Sequence, residues 1–406
     1  MFTKLQATLN RYPKQFWLLV GGMLISMLGA TMIWPFLLIY ASKRLAMPLT
    51  QIATLMTINA VVGVAFTFVA GPVTDKFGRK WVMVFGLLIN ASMYLFMMRA
   101  DSYAIFAILM AFSGAATPLY RIGADAMIAD LIPELERLEA FALIRMAKNV
   151  GVSMGPAIGG ILAAISYDIT FISAAVGMTI FGLLLVFFAK ETLPAHETSS
   201  TISEDSTGKL GYRYILRDKA FIAMIAIYSL GWTTAALMWV ILPVYANQNY
   251  GIPENIYGLI PTTNALIVIF FQVTVSRKTK RYRPLPIMAL GMAFYAIGTG
   301  SVALGSGFWG FWTSIVIITI GELIIVPTSS AYVANLAHPD MRGRYMGLYN
   351  LAWSFARGVG PVMGGWLSDS FGPVTIWYGG LFVGSISAFG LLLLAMRQRQ
   401  KELQTV

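Results

Sequence analysis

Long apolar runs alternate with short polar loops along this chain of 406 residues. A run of about 20 mainly apolar residues is long enough for a helix to cross a bilayer. By that measure the chain has twelve candidate spans, at residues 16–40, 50–73, 81–98, 103–128, 140–164, 169–189, 220–246, 254–275, 285–304, 309–334, 345–366 and 373–396. Because a backbone in lipid must satisfy its own hydrogen bonds, these runs predict an all-α membrane protein with twelve transmembrane helices.

One polar stretch is longer than the loops. Residues 190–219 mix Ser, Thr, Glu, Asp and Gly, a composition that favours a flexible linker. We therefore expect a six-helix bundle at 1–189, a cytoplasmic linker at 190–219 and a second six-helix bundle at 220–406.

The region from Ala129 to Gly160 recurs from Ala334 to Gly365, and both copies end in Gly-Pro-x-x-Gly-Gly. A constant offset of 205 residues relates the matched positions, which are Asp130 and Asn335, Arg137 and Arg342, and Gly155 and Gly360. Internal repeats in a strongly apolar chain are typical of transporters. The two bundles are therefore expected to be pseudo-symmetric.

Composition narrows the class of protein further. Apolar residues make up 57% of the chain and charged residues 12%, against about 25% charged in soluble domains. The net charge of +11 does not indicate a nucleic-acid partner, because the basic residues lie in short loops rather than on one folded face. The absence of cysteine excludes disulfides, thiol catalysis and thiolate metal sites.

Lysine and arginine also predict the orientation. They concentrate in the tails and in the loops of one side, whereas the loops of the other side hold only Lys43, Arg44 and Arg99. The positive-inside rule then places both termini in the cytoplasm. The first apolar run follows a basic segment and has no small-residue cleavage site, so we interpret it as a retained span. The expected location is the plasma membrane of a bacterium.

The loop between spans two and three reads Gly71-Pro-Val-Thr-Asp75-Lys-Phe-Gly78-Arg79-Lys. Glycines permit a tight turn and a close helix approach, and a carboxylate and a guanidinium suit contacts with neighbouring helix ends. An ordinary basic loop is the simpler interpretation of these residues alone. The loop, the twelve spans and the repeat together resemble the major facilitator superfamily. The resemblance implies that this loop latches the outward-open state, with Asp75 meeting the start of span eleven and Arg79 meeting Asp130.

Span five carries Gly151, Gly155 and Gly159 at every fourth residue, followed by Gly160, with Pro156 between them. Small residues at that spacing favour close packing of two helices, which is the structural alternative to a functional motif. The pattern resembles the antiporter motif of the drug/proton branch of the superfamily, and that resemblance implies proton-coupled export.

That branch usually has an arginine four residues before a glycine in span four. Here Met110 stands four residues before Gly114, so we assign no proton relay to span four. The loop after span eight, residues 276–283, keeps only the positive charge of the loop motif, and a second latch is not expected there.

Ionisable residues inside spans are costly and tend to be functional. Glu322 and Arg357 each lie near mid-membrane, Glu322 about 20 Å deep at 1.5 Å per residue. A neighbourhood of the two predicts a proton-coupling site, and a static ion pair is the alternative. The resemblance to bacterial multidrug/proton antiporters implies the same role for Glu322 in span ten.

Further charges and aromatics fall within spans. Arg145 and Lys148 share one face of span five and are candidates for contacting an anionic group of a substrate or acids of span four. Trp239 and Trp353 are candidates for a cavity that stacks flat apolar ligands, although such residues more often pack helices.

We therefore expect a secondary-active transporter, a proton-coupled exporter of amphipathic small molecules or drugs that works by alternating access. A lipid or glycolipid flippase, or a dedicated metabolite transporter of the same fold, is the alternative. The chain shows no catalytic constellation, no metal cluster and no phosphate-binding loop for ATP. We expect no enzyme activity, no cofactor beyond the proton gradient, a monomer, and a role in antibiotic resistance through multidrug efflux.

Overall fold

A computed structural model of the chain describes residues 11–133, 136–193, 215, 217–336 and 342–404. Every regular element in those ranges is helical. The elements before the predicted linker are α1 (Lys14–Ile33), α2 (Leu37–Leu45), α3 (Leu49–Phe77), α4 (Arg79–Met97), α5 (Tyr103–Leu131), α6 (Arg137–Ile165) and α7 (Tyr167–Phe188). The elements after it are α8 (Lys219–Ala236), a π-helical turn (Leu237–Ile241), α9 (Leu242–Tyr250), α10 (Glu254–Tyr257), α11 (Leu259–Thr279), α12 (Pro284–Ser301), α13 (Gly307–Leu336), α14 (Arg342–Phe371) and α15 (Thr375–Gln404).

Each of the twelve predicted runs is covered by a helix or by consecutive helices. The run at 16–40 is divided into α1 and α2 around Pro35, where proline removes a backbone donor and clashes with the preceding turn. Ten helical segments of the described chain are long and apolar enough to cross a membrane. The fold is thus all-α and membrane-spanning, and the count of twelve spans stays a prediction because α12 and α14 are not among the ten.

The chain forms two compact units, described here separately. Unit N comprises Met1–Ala46, Ile58–His196 and Pro253–Thr262. Unit C comprises Met47–Thr57, Glu197–Ile252 and Thr263–Val406. Most of the predicted linker at 190–219 lies outside the described residues, so the bundle boundaries expected from the sequence stay predictions.

Both units use the same pattern of helix pairs. In unit N, α1 packs on α6 and α7, and α4 packs on α5 and α7. In unit C, α8 packs on α14 and α15, and α12 packs on α13 and α15. Helices in lipid associate through close packing rather than through the hydrophobic effect, so repeated small residues produce repeated packing.

Candidate functional site

The glycines of the span-five motif lie in α6 and face α1. A Cβ atom on Gly155 would overlap the Thr31 hydroxyl, and one on Gly159 would overlap the Met32 carbonyl oxygen. Thr31 also donates a hydrogen bond to the Gly151 carbonyl at 3.0 Å. The two backbones therefore touch along the motif. Any larger side chain at these glycines would separate α1 from α6.

The second repeat packs in the same manner in unit C. A Cβ on Gly360 would lie 2.9 Å from Ala236 Cβ, and one on Gly364 would lie 2.6 Å from Leu237 Cδ2. Leu237 comes 205 residues after Met32, so the partners obey the same offset as the glycines. One difference matters. At Gly159 the close contact is a backbone carbonyl, whereas at the equivalent Gly364 it is the end of a flexible side chain.

Gly160, the last glycine of the unit N motif, lies next to the first turn of α10, where Glu254 forms an ion pair. Gly160 packs against the backbone of Glu254, at the first turn of α10. The Glu254 carboxylate accepts hydrogen bonds from Lys43 Nζ at 2.8 Å and from the Tyr167 hydroxyl at 2.7 Å. The glycine motif, the end of α2 and the start of α7 are thus joined through one buried glutamate.

The matching glycine of unit C borders a capped helix start. A Cβ on Gly365 would lie 2.6 Å from Thr50 Cα. The Asp369 carboxylate accepts bonds from the backbone N–H of Leu49 at 3.3 Å and of Thr50 at 2.8 Å. It also accepts the Thr50 hydroxyl at 2.6 Å. An acidic side chain at a helix N-terminus satisfies donors that have no partner within the helix.

The predicted latch loop is built around one arginine. Arg79, whose side chain is 12% exposed, contacts Asp130 Oδ2 through Nε at 3.1 Å and Asp75 Oδ1 through Nη1 at 3.2 Å. Gly78 has φ = +94°, a conformation that favours glycine, and Gly71 lies within α3. The role of these residues as a latch, and the contact of Asp75 with span eleven, stay predictions.

A residue that the sequence did not single out completes this loop. Glu191 accepts hydrogen bonds from the backbone N–H groups of Arg79 at 2.9 Å and Lys80 at 3.1 Å. The next residue, Thr192, donates to Asp130 Oδ2 at 3.0 Å. The carboxylate therefore caps the start of α4. Glu191 and Thr192, which open the predicted linker, are thus hydrogen-bonded to residues of unit N.

The ionisable residue of greatest interest, Glu322, lies in α13 and is half-buried. Its carboxylate accepts a hydrogen bond from Asn264 Nδ2 at 2.8 Å, and the same amide donates to Thr319 Oγ1 at 2.9 Å. The described contact of this carboxylate is thus a neutral amide from α11. Arg357 is half-buried in α14, and its pairing with Glu322 stays a prediction.

Three hydroxyl groups meet in unit C. The oxygens of Tyr228, Ser329 and Tyr349 lie 2.9 Å from one another in each of the three pairs. Ser329 also donates to the Val326 carbonyl at 3.2 Å. Each hydroxyl both donates and accepts, so this cluster connects α8, α13 and α14 without a charged group.

Aromatic rings surround the hydroxyl cluster. Trp232 packs edge-on against Tyr228 at 5.6 Å and against Trp353 at 5.0 Å between ring centroids. The other tryptophan proposed from the sequence, Trp239, is half-buried in the π-helical turn. Such turns are rare and are frequently found at functional sites. The sequence contains no clear signal for the turn, because it depends on how α8 packs.

Tyr295 of α12 lies beside both the aromatic rings and Glu322. Its ring centroid lies 5.8 Å from that of Trp232, and the side chain is 2% exposed. The phenol is close enough to Glu322 and to Tyr228 to interact electrostatically with both. Among the described residues its hydroxyl has no hydrogen-bond partner. A buried hydroxyl without a partner calls for an explanation.

The basic pair of span five lies in α6. Arg145 is exposed and Lys148 is half-buried. Asp125 of α5 interacts electrostatically with Lys148 and, more weakly, with Arg121. Lys148 thus has an acidic neighbour on span four, one of the two roles considered for it. Within the described ranges, no group of three or more acidic or histidine side chains is arranged to hold a metal ion.

Comparison with known proteins identifies the family. The profile of the Major Facilitator Superfamily matches residues 19–361 and, in a second match, residues 224–405. The chain belongs to the Major Facilitator Superfamily. It is therefore a multi-pass membrane transporter of small molecules rather than an enzyme.

Relatives within the superfamily span nearly the full chain. An uncharacterised transporter of the superfamily from Bacillus subtilis, YttB, is 27% identical over 89% of this chain and 90% of its own length. A Na(+), Li(+), K(+)/H(+) antiporter from Planococcus maritimus is 25% identical, covering 86% of each chain. The multidrug resistance protein MdtH of Escherichia coli O1:K1 is 24% identical over 95% of this chain and 94% of its own.

Solved transporters share the fold. A crystal structure of the nucleoside transporter NupG has a TM-score of 0.77 at 14% identity, covering 93% of this chain and 99% of that chain. A peptide transporter of the POT family in complex with sulfate has a TM-score of 0.77 at 18% identity, covering 96% and 95%. At such identities the likeness extends to the major facilitator fold alone.

Proposed function

We propose that this major facilitator protein is a proton-coupled exporter of amphipathic small molecules. The observation that carries the proposal is Glu322, a half-buried carboxyl group in a membrane helix whose described hydrogen bond comes from the neutral amide of Asn264. A carboxylate in apolar surroundings is destabilised unless it is paired, so its protonation is favoured there. This makes Glu322 the residue best suited to load and release a proton during transport.

Asn264 suits both protonation states of Glu322. The ionised carboxylate accepts from the amide nitrogen, as in the structure. After protonation the carboxyl O–H becomes a donor, and rotation of the amide would present its oxygen as the acceptor. The proton thus adds to one carboxylate oxygen, and Asn264 would then accept through its oxygen in place of donating from its nitrogen.

The aromatic rings around the hydroxyl cluster favour a substrate that is flat and amphipathic. Trp232 packs against Trp353, and Tyr349 stacks on Tyr228, in the same unit as Glu322. Rings of this type also stack on flat apolar ligands. In the proposed cycle a proton from outside loads Glu322, and substrate leaves outward as that proton passes to the cytoplasm. The energy source is the proton gradient.

The latch loop provides a separate test of the transport cycle. Asp75 and Asp130 both hold Arg79, so replacing Asp75 should alter how fast the protein changes conformation. We expect Asp75→Asn to slow exchange while leaving the substrate dissociation constant within about twofold. A loss of affinity with normal turnover would argue against the latch.

The first experiment measures export of ethidium or a bisbenzimide as dye uptake into inside-out vesicles, whose lumen corresponds to the cell exterior, with and without a proton gradient. We expect gradient-driven movement in the unmodified protein and at least about a tenfold loss in Glu322→Gln, since removal of a proton-transfer group typically costs that much or more. Glu139→Gln is the matched control, because it makes the same change at an exposed residue paired with Arg11. Undiminished proton-driven efflux in Glu322→Gln would refute the role of Glu322.

Alkali-cation/proton exchange is the second candidate. The Planococcus relative is named as an antiporter of sodium, lithium and potassium with protons, and the Glu322 carboxylate with the Thr319 hydroxyl offers the oxygen ligands that such cations prefer. Sodium-driven proton movement in the same vesicles, lost in Glu322→Gln and with no dye transport, would favour this exchange.

A lipid flippase is the third candidate, because Arg145 is an exposed basic residue in a membrane helix. Lipid scrambling that is lost in Arg145→Gln would favour that function.

A further inference from the structure

A basic cavity lies at one end of unit C, separate from the Glu322 site. It encloses about 480 Å³ between the start of α12, α13 and the end of α15. The lining residues that matter for the argument are Arg283, Leu285, Tyr332, Leu392, Met396 and Arg399. The cavity combines two guanidinium groups and a phenol with an apolar wall.

Positive charge dominates this end of the unit. The last turn of α11 contains Arg277 and Lys278, and the loop that leads into α12 contains Lys280, Arg281 and Arg283. On α15, Arg397 lies two residues before Arg399. Among the described side chains, Asp218 is an acid at this end of the unit; it interacts electrostatically with Tyr332 and accepts a hydrogen bond from Tyr345 at 3.2 Å. This is the loop that keeps only the positive charge of the latch motif, so its basic residues have no role in the proposed transport cycle.

The apolar wall continues along α15. Leu392 is 42% exposed and Met396 is 46% exposed, and Phe389, one turn earlier on the same face, is 61% exposed. Residues three and four apart share a helix face, so these side chains form one strip that leads from the cavity into the membrane-spanning part of α15. An exposed apolar strip in a membrane helix suits an acyl chain.

The position of the cavity along the helices fits the membrane surface. Arg283 directly precedes α12, and Arg399 lies near the end of α15, beyond the long apolar run that ends at Met396. By the positive-inside rule this basic end faces the cytoplasm. The cytoplasmic leaflet carries anionic lipids, and basic pockets between helices on that side recognise their headgroups.

We propose that this cavity binds a phospholipid with an anionic headgroup, whose phosphate lies between Arg283 and Arg399 and whose acyl chain follows Leu392 and Met396. Guanidinium groups bind phosphate through paired N–H donors, and the Tyr332 hydroxyl is a further donor at the same cavity. The proposal does not depend on Glu322 or on proton coupling.

The test measures lipid binding to the purified full-length protein by native mass spectrometry. Palmitoyl-oleoyl phosphatidylglycerol, palmitoyl-oleoyl phosphatidylcholine and inorganic phosphate are titrated separately. An arginine near an anionic surface contributes about a fivefold change in affinity, so Arg283→Gln with Arg399→Gln should weaken phosphatidylglycerol binding about 25-fold. The matched control is Arg281→Gln with Arg397→Gln, which removes the same charge from neighbours that do not line the cavity.

The outcomes separate the alternatives. Tight binding of phosphatidylglycerol that is lost in the cavity variant and retained in the control variant supports the lipid site. Equal weakening in both variants would mean that only net charge matters, and would overturn the proposal. Equal affinity for phosphatidylcholine, or displacement of phosphatidylglycerol by inorganic phosphate at micromolar concentrations, would also overturn it. The thermal unfolding of each variant is recorded, because substitutions at exposed positions should leave the fold intact.

Discussion

The glycines that pack α6 on α1 and α14 on the π-helical turn allow one prediction to be worked out in detail. The two changes are Gly159→Ala and Gly364→Ala, which occupy equivalent positions in the two repeats. A Cβ on Gly159 would lie 2.7 Å from the Met32 carbonyl carbon, with the oxygen closer still. A Cβ on Gly364 would lie 2.6 Å from Leu237 Cδ2. Only the second neighbour can rotate away.

The magnitudes follow from that difference. Ordinary contact begins at 3.4 Å, so at Gly159 the backbone of α1 or α6 must move by at least the difference of 0.7 Å. Overpacking of this kind costs about 1–3 kcal/mol, while alanine gains up to about 1 kcal/mol of helix propensity over glycine. The net loss for Gly159→Ala is then about 0–2 kcal/mol. For Gly364→Ala a rotamer change of Leu237 suffices, and the net effect is near zero or favourable.

The assay is thermal unfolding in detergent, followed by tryptophan fluorescence. Both variants gain the same helix propensity, so they differ by the overpacking cost of about 1–3 kcal/mol. A unit of about 200 residues shifts by about 2–4 °C per kcal/mol, so Gly159→Ala should unfold about 2–12 °C below Gly364→Ala. Equal unfolding temperatures, or a larger loss for Gly364→Ala, would refute the reasoning that backbone contact distinguishes the two repeats. Gly159→Ser serves as a second variant, and it should be destabilised at least as much.

Three further predictions concern polar groups. Asp369→Ala should cost about 0.5–2 kcal/mol, because it removes the cap of α3, and hydrogen exchange should rise at the Thr50 amide; unchanged exchange there would contradict the cap. Glu191→Ala should similarly raise exchange at the first amides of α4, whereas protection equal to that of the unmodified protein would show that the loop does not need this carboxylate. Tyr295→Phe should leave the unfolding temperature unchanged or raise it, because its hydroxyl has no hydrogen-bond partner among the described residues and its removal relieves a desolvation cost. Tyr12→Phe is the control, because the Tyr12 hydroxyl is also buried and without a partner in the part of the chain that the structure describes. A drop confined to Tyr295→Phe would mean that this phenol hydrogen-bonds in the native state.

Resemblance also indicated some local partners. The sequence named Arg79 and Asp130 as partners, and their side chains lie 3.1 Å apart. These residues belong to a short loop and an adjacent helix end, where chain connectivity limits the alternatives. The close approach of span five to another helix could likewise be predicted from Gly155 and Gly159, since glycines at that spacing leave one helix face without side chains. The sequence did not indicate which helix would pack against that face.

The partners of polar groups far apart in sequence required the structure. Asn264 and Glu322 are separated by 58 positions, and Glu191 reaches Arg79 across 112. Nothing in hydrophobic periodicity distinguishes Asn264 from other polar residues of a membrane span, because periodicity records burial and not the identity of the neighbour. Tyr295 was missed for the same reason.

The sequence by itself determined the class of this protein, since apolar runs of sufficient length, sparse charge and basic loops leave a membrane-spanning helical chain as the solution. The 205-residue repeat and the glycine motifs determined that the two parts of the chain pack alike. Only the tertiary structure decided which donors and acceptors meet, where α8 gives way to a π-helical turn, and that Arg283 and Arg399 border one cavity. Those features depend on side chains brought together from distant helices, and a one-dimensional pattern carries no information about their distances.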